Sequence, residues 1–305
     1  MDPQTQRKKP PESLRKLMAD AIDYAGLFPP SQMNMQEAVV NFSLNAAGPY
    51  NWMLGRFVLP VARVEEFIQI ASGLITPDRE KGCRLSVLAG ENISHTIRDI
   101  TNFNRKYGPE FCVDSLEVKA SSVSKIDNTV GLLPKDIDAY FEITQNENFV
   151  DLVAALALKG QRAKIRTGGV TPPEFPKSLD IIRFVRSCGA ANVPFKATAG
   201  LHHPIRCYRP LTYAADAPKG TMHGFLNLFL MTGFVRKNFK MGRLEQIMEE
   251  EFDEVFHFEE GGIRWREDNL LTLSEIEELR RHGIQSFGSC SFDEPVADLQ
   301  SLGLL

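Results

Sequence analysis

Short apolar runs alternate with longer amphipathic stretches along most of the chain. The runs have the length and the β-branched or aromatic content of strands, whereas the stretches repeat their apolar positions at helical spacing. Strands separated by helices predict βαβ units that share one parallel sheet. Six strand–helix pairs follow one another up to residue 238, with strands predicted at 56–62, 84–90, 114–120, 138–144, 162–168 and 194–200.

Two further strands complete the pattern, one near each end of the chain. IDYAGLF predicts a strand over 22–28, which two prolines separate from the helix that follows. GIQSFGS predicts a strand over 283–289, and Pro295 suits the first turn of a final helix. Eight strands, each followed by a helix, predict an α/β fold of the (β/α)8 TIM-barrel type. A doubly wound open sheet is the alternative, but no GxGxxG turn favours it.

Residues 239–282 do not fit this repeat. Their pattern predicts a helix, a hairpin with Gly261 and Gly262 at its turn, and a second helix, inserted between the seventh and eighth strands. The helix before them, GFLNLFLMTGF, is apolar nearly all round, so either this insertion or a homodimer contact should cover it. Residues 1–18 are predicted to be a disordered lead, and residues 19–305 to be a single barrel domain.

Composition narrows the classes of function. The net charge of −4 gives no general attraction to nucleic acid or to an anionic membrane, and no apolar run of about 18 residues predicts a membrane span. The five cysteines are scattered, without a CxxC pair or an evident activating partner. They therefore predict reduced thiols in the cytoplasm rather than a disulfide framework or a structural zinc site.

Charged residues inside the predicted strands are the strongest functional signal. The run AKIRTGG, residues 163–169, has the pattern of a buried strand, yet Lys164 and Arg166 lie on one face of it. The opposite faces of these strands are small or apolar and should pack on the helices, so the polar faces should point into the barrel mouth. The inward set comprises Glu117, Lys119, Glu142, Lys164, Arg166, Lys196 and Thr198, with glycines Gly168, Gly169 and Gly200 allowing the backbone to approach a ligand.

This set holds four cations and two anions. The excess positive charge predicts an anionic substrate, or a lysine whose pKa falls toward about 7–8 so that its amine can attack a carbonyl carbon. The alternative is that the charges only neutralise one another, in pairs such as Glu117 with Lys119 or Glu142 with Lys164.

Three segments resemble the deoxyribose-phosphate aldolase family. The resemblance is distant and indicates a bacterial branch of such barrels. KIRTGG and FKATAGL resemble the paired lysine strands of that family, and SFGSCSFDEPVADLQSLG resembles its last strand and phosphate-holding helix start. The matches fall on strands six, seven and eight and cover roughly the last half of the chain. Arg166 and the 239–282 insertion depart from the family pattern.

The resemblance implies a class I (Schiff-base) aldolase or related lyase that acts on a small anionic carbonyl compound, a phosphate or a carboxylate, without a cofactor or a metal. It implies that Lys164 forms the imine and that Lys196 lowers the pKa of Lys164. It also implies a substrate phosphate near Gly200, Ser289 and Ser291 at the start of the final helix. The carboxylate for proton transfer is left open between Glu117, Glu142 and Asp23.

Adjacent histidines after the seventh strand suggest other chemistry. His202 and His203 could transfer protons or orient the substrate from a loop at the barrel mouth. With Glu117 and Glu142 they could instead bind a metal, which makes a metal-assisted lyase or hydrolase the alternative enzyme. A barrel that binds an anion without turnover is the non-enzymatic alternative.

Overall fold

The computed structural model describes residues 9–78 and 80–305, and eight parallel strands at its centre close into a barrel. The described residues form these eight barrel strands and five shorter strands outside the barrel. In chain order they are β1 (Ile22–Tyr24), β2 (Leu54–Pro60), β3 (Cys83–Leu88), β4 (Phe111–Lys119), β5 (Asp138–Glu142), β6 (Arg162–Arg166), β7 (Phe195–Thr198), β8 (Cys207–Pro210), β9 (Lys219–Met222), β10 (Phe256–Glu259), β11 (Gly262–Trp265), β12 (Asn269–Thr272) and β13 (Ile284–Ser289). The barrel order is β1-β13-β7-β6-β5-β4-β3-β2. Seven of the eight barrel strands begin and end within three residues of their predicted bounds, whereas β1 begins as predicted and ends four residues early, at Tyr24.

A helix follows every barrel strand, which confirms the (β/α)8 TIM-barrel prediction. The helices are α1 (Glu12–Met18), α2 (Met35–Ala47), α3 (Val64–Ala71), α4 (Ile93–Tyr107), α5 (Val123–Val130), α6 (Phe149–Leu158), α7 (Ser178–Ala190), α8 (Phe225–Arg236), α9 (Met241–Met248), α10 (Leu273–His282) and α11 (Asp293–Ser301). In the described part of the chain no helix has the length and apolar character needed to cross a membrane.

Strand register brings the charged positions to one level of the barrel. Glu142 on β5 stands opposite Lys164 on β6, and Lys164 stands opposite Lys196 on β7. The alternate residues Ala163 and Ile165 are buried in the apolar core, because successive strand side chains point to opposite faces. Alternation therefore turns these lysines toward the barrel interior.

The segment between α8 and β13 covers the apolar helix α8. It forms α9, an antiparallel three-stranded sheet of order β10-β11-β12 and then α10. Helix α8 contacts α7, α9, α10 and β12, and residues Phe225–Phe234 of α8 are buried in the single chain. Intramolecular packing therefore covers α8, and its apolar character requires no dimer contact.

The prediction of disorder over residues 1–18 is wrong for its last part. Helix α1 packs on α10 and buries Leu14, Leu17 and Met18 completely. These residues are spaced so that they form one apolar helix face, and burying that face offsets the entropy cost of ordering the segment. Residues 1–8 lie outside the described residues.

Candidate active site

Five charged side chains meet inside the barrel and share one network of ion pairs. Glu117 from β4 is its centre, because Lys164 Nζ donates to Glu117 Oε2 at 2.7 Å and Lys196 Nζ donates to Glu117 Oε1 at 2.7 Å. Glu142 accepts from Lys164 at 2.9 Å, and Asp23 accepts from Lys196 at 2.6 Å. Three carboxylates therefore surround two ammonium groups.

The two lysines have different surroundings. Lys164 lines a cavity of about 850 Å³ at the barrel mouth, together with Glu117 and Glu142. Lys196 is 1% exposed and does not line that cavity. Its partner Asp23 is fully buried and also accepts a hydrogen bond from Ser286 Oγ at 2.7 Å. Lys164 is thus the member of the pair that a small molecule can reach.

The ion pairs set the protonation states of this network. Burial disfavours the ionised form of Glu117, but the charges of Lys164 and Lys196 outweigh it and hold the pKa of Glu117 well below its usual range. Burial likewise works against the charge on each lysine, yet the neighbouring carboxylates raise the pKa of Lys164 and of Lys196. The expectation that Lys196 lowers the pKa of Lys164 is therefore wrong, because Glu117 lies between the two lysines and raises the pKa of both.

A second group of cations lines the same cavity nearer to solvent. Lys119, Lys125 and Arg166 are exposed, and among the described residues none of the three forms a salt bridge. Arg166 makes one long contact, from Nη2 to the carbonyl oxygen of Gly168 at 3.4 Å. Of the two neutralising pairs considered from sequence, Glu142 with Lys164 forms, whereas Lys119 is left free to bind an anion.

The glycines at the strand ends have a packing role. A Cβ at Gly168 would lie 2.5 Å from the Phe175 ring and 2.8 Å from Gly200 Cα, and one at Gly169 would lie 2.4 Å from the Glu174 side chain. Gly200 has a φ of +76°, which an L side chain rarely adopts. Gly169 and Gly200 line the cavity as predicted, but the absence of a side chain at Gly168 makes room for Phe175 rather than for a ligand.

The predicted phosphate site at the last helix is not assembled with the lysines. Ser289 is buried, and Ser291 accepts a hydrogen bond from the Glu294 backbone N–H at 3.2 Å. Ser291 lines a separate cavity with Asp293 and Glu294, two carboxylates in the first turn of α11. These charges oppose a phosphate at this helix start and argue against the role expected for Ser289 and Ser291.

The adjacent histidines turn toward helix α11. His202 Nδ1 lies 3.0 Å from Glu294 Oε2, and His203 Nδ1 lies 2.6 Å from Asp298 Oδ2. His202 lines the large cavity, but Glu117 is held by the lysines. Over residues 9–78 and 80–305 no three His, Cys, Asp or Glu side chains form a group that could hold a metal ion. The residues of the metal-assisted alternative are thus not grouped as metal ligands.

The chain matches no protein-family model, no curated protein and no solved structure.

Several polar residues of the site were not predicted from sequence. Ser86 on β3 donates to Glu117 Oε1 at 2.9 Å and lies 3.0 Å from Ser115 Oγ, while Ser286 on β13 donates to Asp23. Ser86 and Ser286 are both buried serines within barrel strands. A serine in such a strand was the sequence signal that could have identified them. Lys125, in the first turn of α5, was also missed, because it belongs to a helix rather than to a strand end.

Proposed function

We propose that this protein is a class I aldolase or a related lyase that forms an imine between Lys164 and a small anionic carbonyl compound. The observation that carries the proposal is the position of Lys164 Nζ, which lies on the wall of the 850 Å³ cavity between Glu117 at 2.7 Å and Glu142 at 2.9 Å. An amine that adds to a carbonyl needs an open approach and a nearby proton acceptor, and Lys164 has both.

The carboxylates supply the proton transfers that imine formation requires. The neighbouring carboxylates raise the pKa of Lys164, so the lysine starts as an ammonium ion and first passes a proton to Glu142, whose side chain is 16% exposed and borders the cavity. The neutral amine then attacks the carbonyl carbon, a C–N bond forms, and the carbonyl oxygen takes up a proton. Loss of that oxygen as water, with a proton returned from Glu142, leaves the imine.

The exposed cations explain why the substrate should be anionic. Lys119, Lys125 and Arg166 place three positive charges around the cavity, against two exposed carboxylates, at Glu91 and Glu174. A phosphate or carboxylate of the substrate would pair with them while its carbonyl reaches Lys164. The resemblance of the lysine strands to deoxyribose-phosphate aldolases supports the same chemistry, with the anion held by this group instead of Ser289 and Ser291.

Lys196 then acts as a positioning residue. It is bonded to Asp23 and Glu117 and has no access to the cavity, so it fixes the Glu117 carboxylate beside Lys164. We propose a cytoplasmic setting, which the five free thiols support.

Reductive trapping tests the proposal. The protein is incubated with glyoxylate, pyruvate, glycolaldehyde phosphate or glyceraldehyde phosphate in the presence of borohydride, and peptides are mapped by mass spectrometry. The expected result is a reduced adduct on Lys164. Lys164→Met keeps the side-chain length and should abolish the adduct, whereas Lys159→Met removes an exposed lysine that does not line the cavity and should retain it.

Two outcomes would contradict the proposal. One is the absence of an adduct on Lys164 with every compound. The other is labelling spread evenly over Lys119, Lys125 and Lys164, which would indicate surface amine chemistry. Thermal stabilisation by these anions without any Lys164 adduct would favour the anion-binding barrel instead.

A further inference from the structure

Cys290 occupies a place in the barrel that no other cysteine has. It is the first residue after β13, at the barrel mouth, and it lines the large cavity together with His202 and Gly288. Cys83 and Cys188 are buried in the core, and neither lines this cavity. A small solute that enters the cavity can therefore reach the Cys290 sulfur.

Three side chains form a polar environment around this thiol. Cys290 Sγ lies 4.0 Å from His202 Nδ1 and 3.7 Å from the Tyr213 hydroxyl. Glu294 completes the group, because its Oε2 lies 3.0 Å from His202 Nδ1 and accepts from the Tyr213 hydroxyl at 3.1 Å. No activating partner for Cys290 is evident in the sequence around it. The fold supplies His202, which lies far away in the chain.

The group favours a charged imidazole beside the sulfur. Burial of the ring opposes protonation, but the hydrogen bonds of His202 to Cys290 and Glu294 raise its pKa to about 9. Burial also opposes a thiolate at Cys290, yet His202 lowers the pKa of that thiol below its ordinary value. Thiolates beside an imidazolium are the reactive form of cysteine.

The other four cysteines show the opposite behaviour. Burial raises the pKa of Cys83 to about 12 and that of Cys207 to about 11, and it also raises the pKa of Cys112 and Cys188. Protein thiols that stay protonated react slowly. The chain therefore contains four internal reference thiols against which Cys290 can be measured.

We propose that Cys290 is a modification site, a reactive thiol paired with His202 that hydroperoxides oxidise to a sulfenic acid. The thiolate sulfur attacks one peroxide oxygen, an S–O bond forms, and the O–O bond breaks. The sulfur loses two electrons, and the departing hydroxide takes up a proton to leave as water. The product is Cys290–SOH at the mouth of the barrel.

The consequence for catalysis rests on the proposed function. Cys290 and Lys164 line the same cavity, so an oxygen or a larger adduct on the sulfur lies on the route to the proposed imine-forming amine. Oxidation at Cys290 would then restrict the entry of substrate without touching the lysine–carboxylate network.

Competition among the five cysteines of the intact protein is the experiment. The protein is treated with hydrogen peroxide at pH 7 in the presence of dimedone, which captures sulfenic acids, and every cysteine peptide is quantified by mass spectrometry. Labelling should accumulate at Cys290, which is buried but lines the cavity, about tenfold faster than at Cys112 or Cys207, which are partly exposed. This comparison needs no variant, and equal or slower labelling at Cys290 overturns the proposal.

Two histidine variants test the role of the partner. His202→Gln should slow Cys290 labelling about tenfold, because the imidazole that lowers the pKa of the thiol would be lost. His203→Gln, which alters the neighbouring ring bonded to Asp298, should leave the rate unchanged. Unaltered labelling in His202→Gln, with circular dichroism showing a folded protein, would assign no role to the imidazole and contradict the pairing. Neither measurement involves Lys164, so its result is separate from that of the imine-trapping test.

Discussion

Lys164 and Lys196 stand opposite each other on neighbouring strands, and each is bonded to a different oxygen of Glu117 at 2.7 Å. The Glu117 carboxylate thus partly neutralises two buried positive charges. Removing it leaves both ammonium groups short of a partner in a site with little water.

Glu117→Gln should destabilise the protein by about 3–5 kcal/mol, the cost of breaking a buried ion pair by removing one partner. The free energy of unfolding in urea at pH 7 measures this. Glu91→Gln changes an exposed glutamate on the rim of the same cavity and should alter that free energy by less than about 0.5 kcal/mol. Equal stabilities for the two variants would show that the network adds nothing to folding.

The stability difference between the wild-type protein and Glu117→Gln should shrink in acid. The pKa of Glu117 is lowered in the folded state, so its contribution is present above the unfolded pKa of about 4.3 and is lost as the pH falls through the folded value. Urea unfolding at pH 7, 5 and 3 should therefore give nearly equal differences at pH 7 and 5 and a smaller one at pH 3. A difference that stays constant to pH 3 would mean that folding does not lower the pKa of Glu117.

Gly168→Ala should destabilise the fold by about 1–3 kcal/mol, the usual cost of overpacking, because its Cβ would lie 2.5 Å from Phe175 and 2.8 Å from the Gly200 backbone. Gly242→Ala is the matched control, since a Cβ there meets nothing within 4 Å and the residue belongs to helix α9. That control should be neutral or slightly stabilising. Thermal unfolding of both variants distinguishes a packing role from a ligand-approach role, which would leave stability intact.

Arg166→Gln should weaken anion binding with no loss of stability. Its side chain is exposed on the cavity and forms no salt bridge among the described residues, so a charge-assisted hydrogen bond to the ligand is the interaction removed. Affinity for inorganic pyrophosphate, measured by calorimetry, should fall about tenfold. Arg98→Gln removes an exposed arginine that pairs with Asp99 and should bind as the wild type does. Identical affinities in both variants would exclude Arg166 from the anion site.

Leu17→Ala should cost about 2–5 kcal/mol, because Leu17 of helix α1 is fully buried. Leu44→Ala removes a leucine that is 69% exposed and should have little effect. Urea unfolding compares the two. A neutral Leu17→Ala would mean that the packing of α1 contributes nothing to the stability of the barrel.

The sequence predicted the barrel well because strand alternation and strand–helix succession are local signals. Lys164 and Lys196 could be placed on adjacent strands for the same reason. The carboxylates that pair with Lys196 could not be assigned, since alternation fixes the face of a side chain but not its depth or its neighbours across the barrel. Asp23 contacts Lys196 from 173 positions away, and this contact helps to raise the pKa of a lysine expected to lower that of its neighbour.

Helix α1 and the thiol site were missed for related reasons. Helix α1 has only seven residues after a polar lead, so its apolar face is too short to give a clear periodic signal. Cys290 and His202 are 88 positions apart and meet because β13 and β7 are neighbours in the barrel. Such pairs depend on topology and not on any local pattern.

The placement of β1 between β2 and β13 has a consequence for the order of events during synthesis. Asp23 leaves the ribosome early, whereas Lys196 and Ser286, which bond to it, are made much later. Until β13 has emerged, the nascent barrel keeps two open edges, at β1 and β7, and the Asp23 carboxylate has to remain hydrated. The strand that seals the barrel is therefore also the strand that completes the surroundings of its most deeply buried charge.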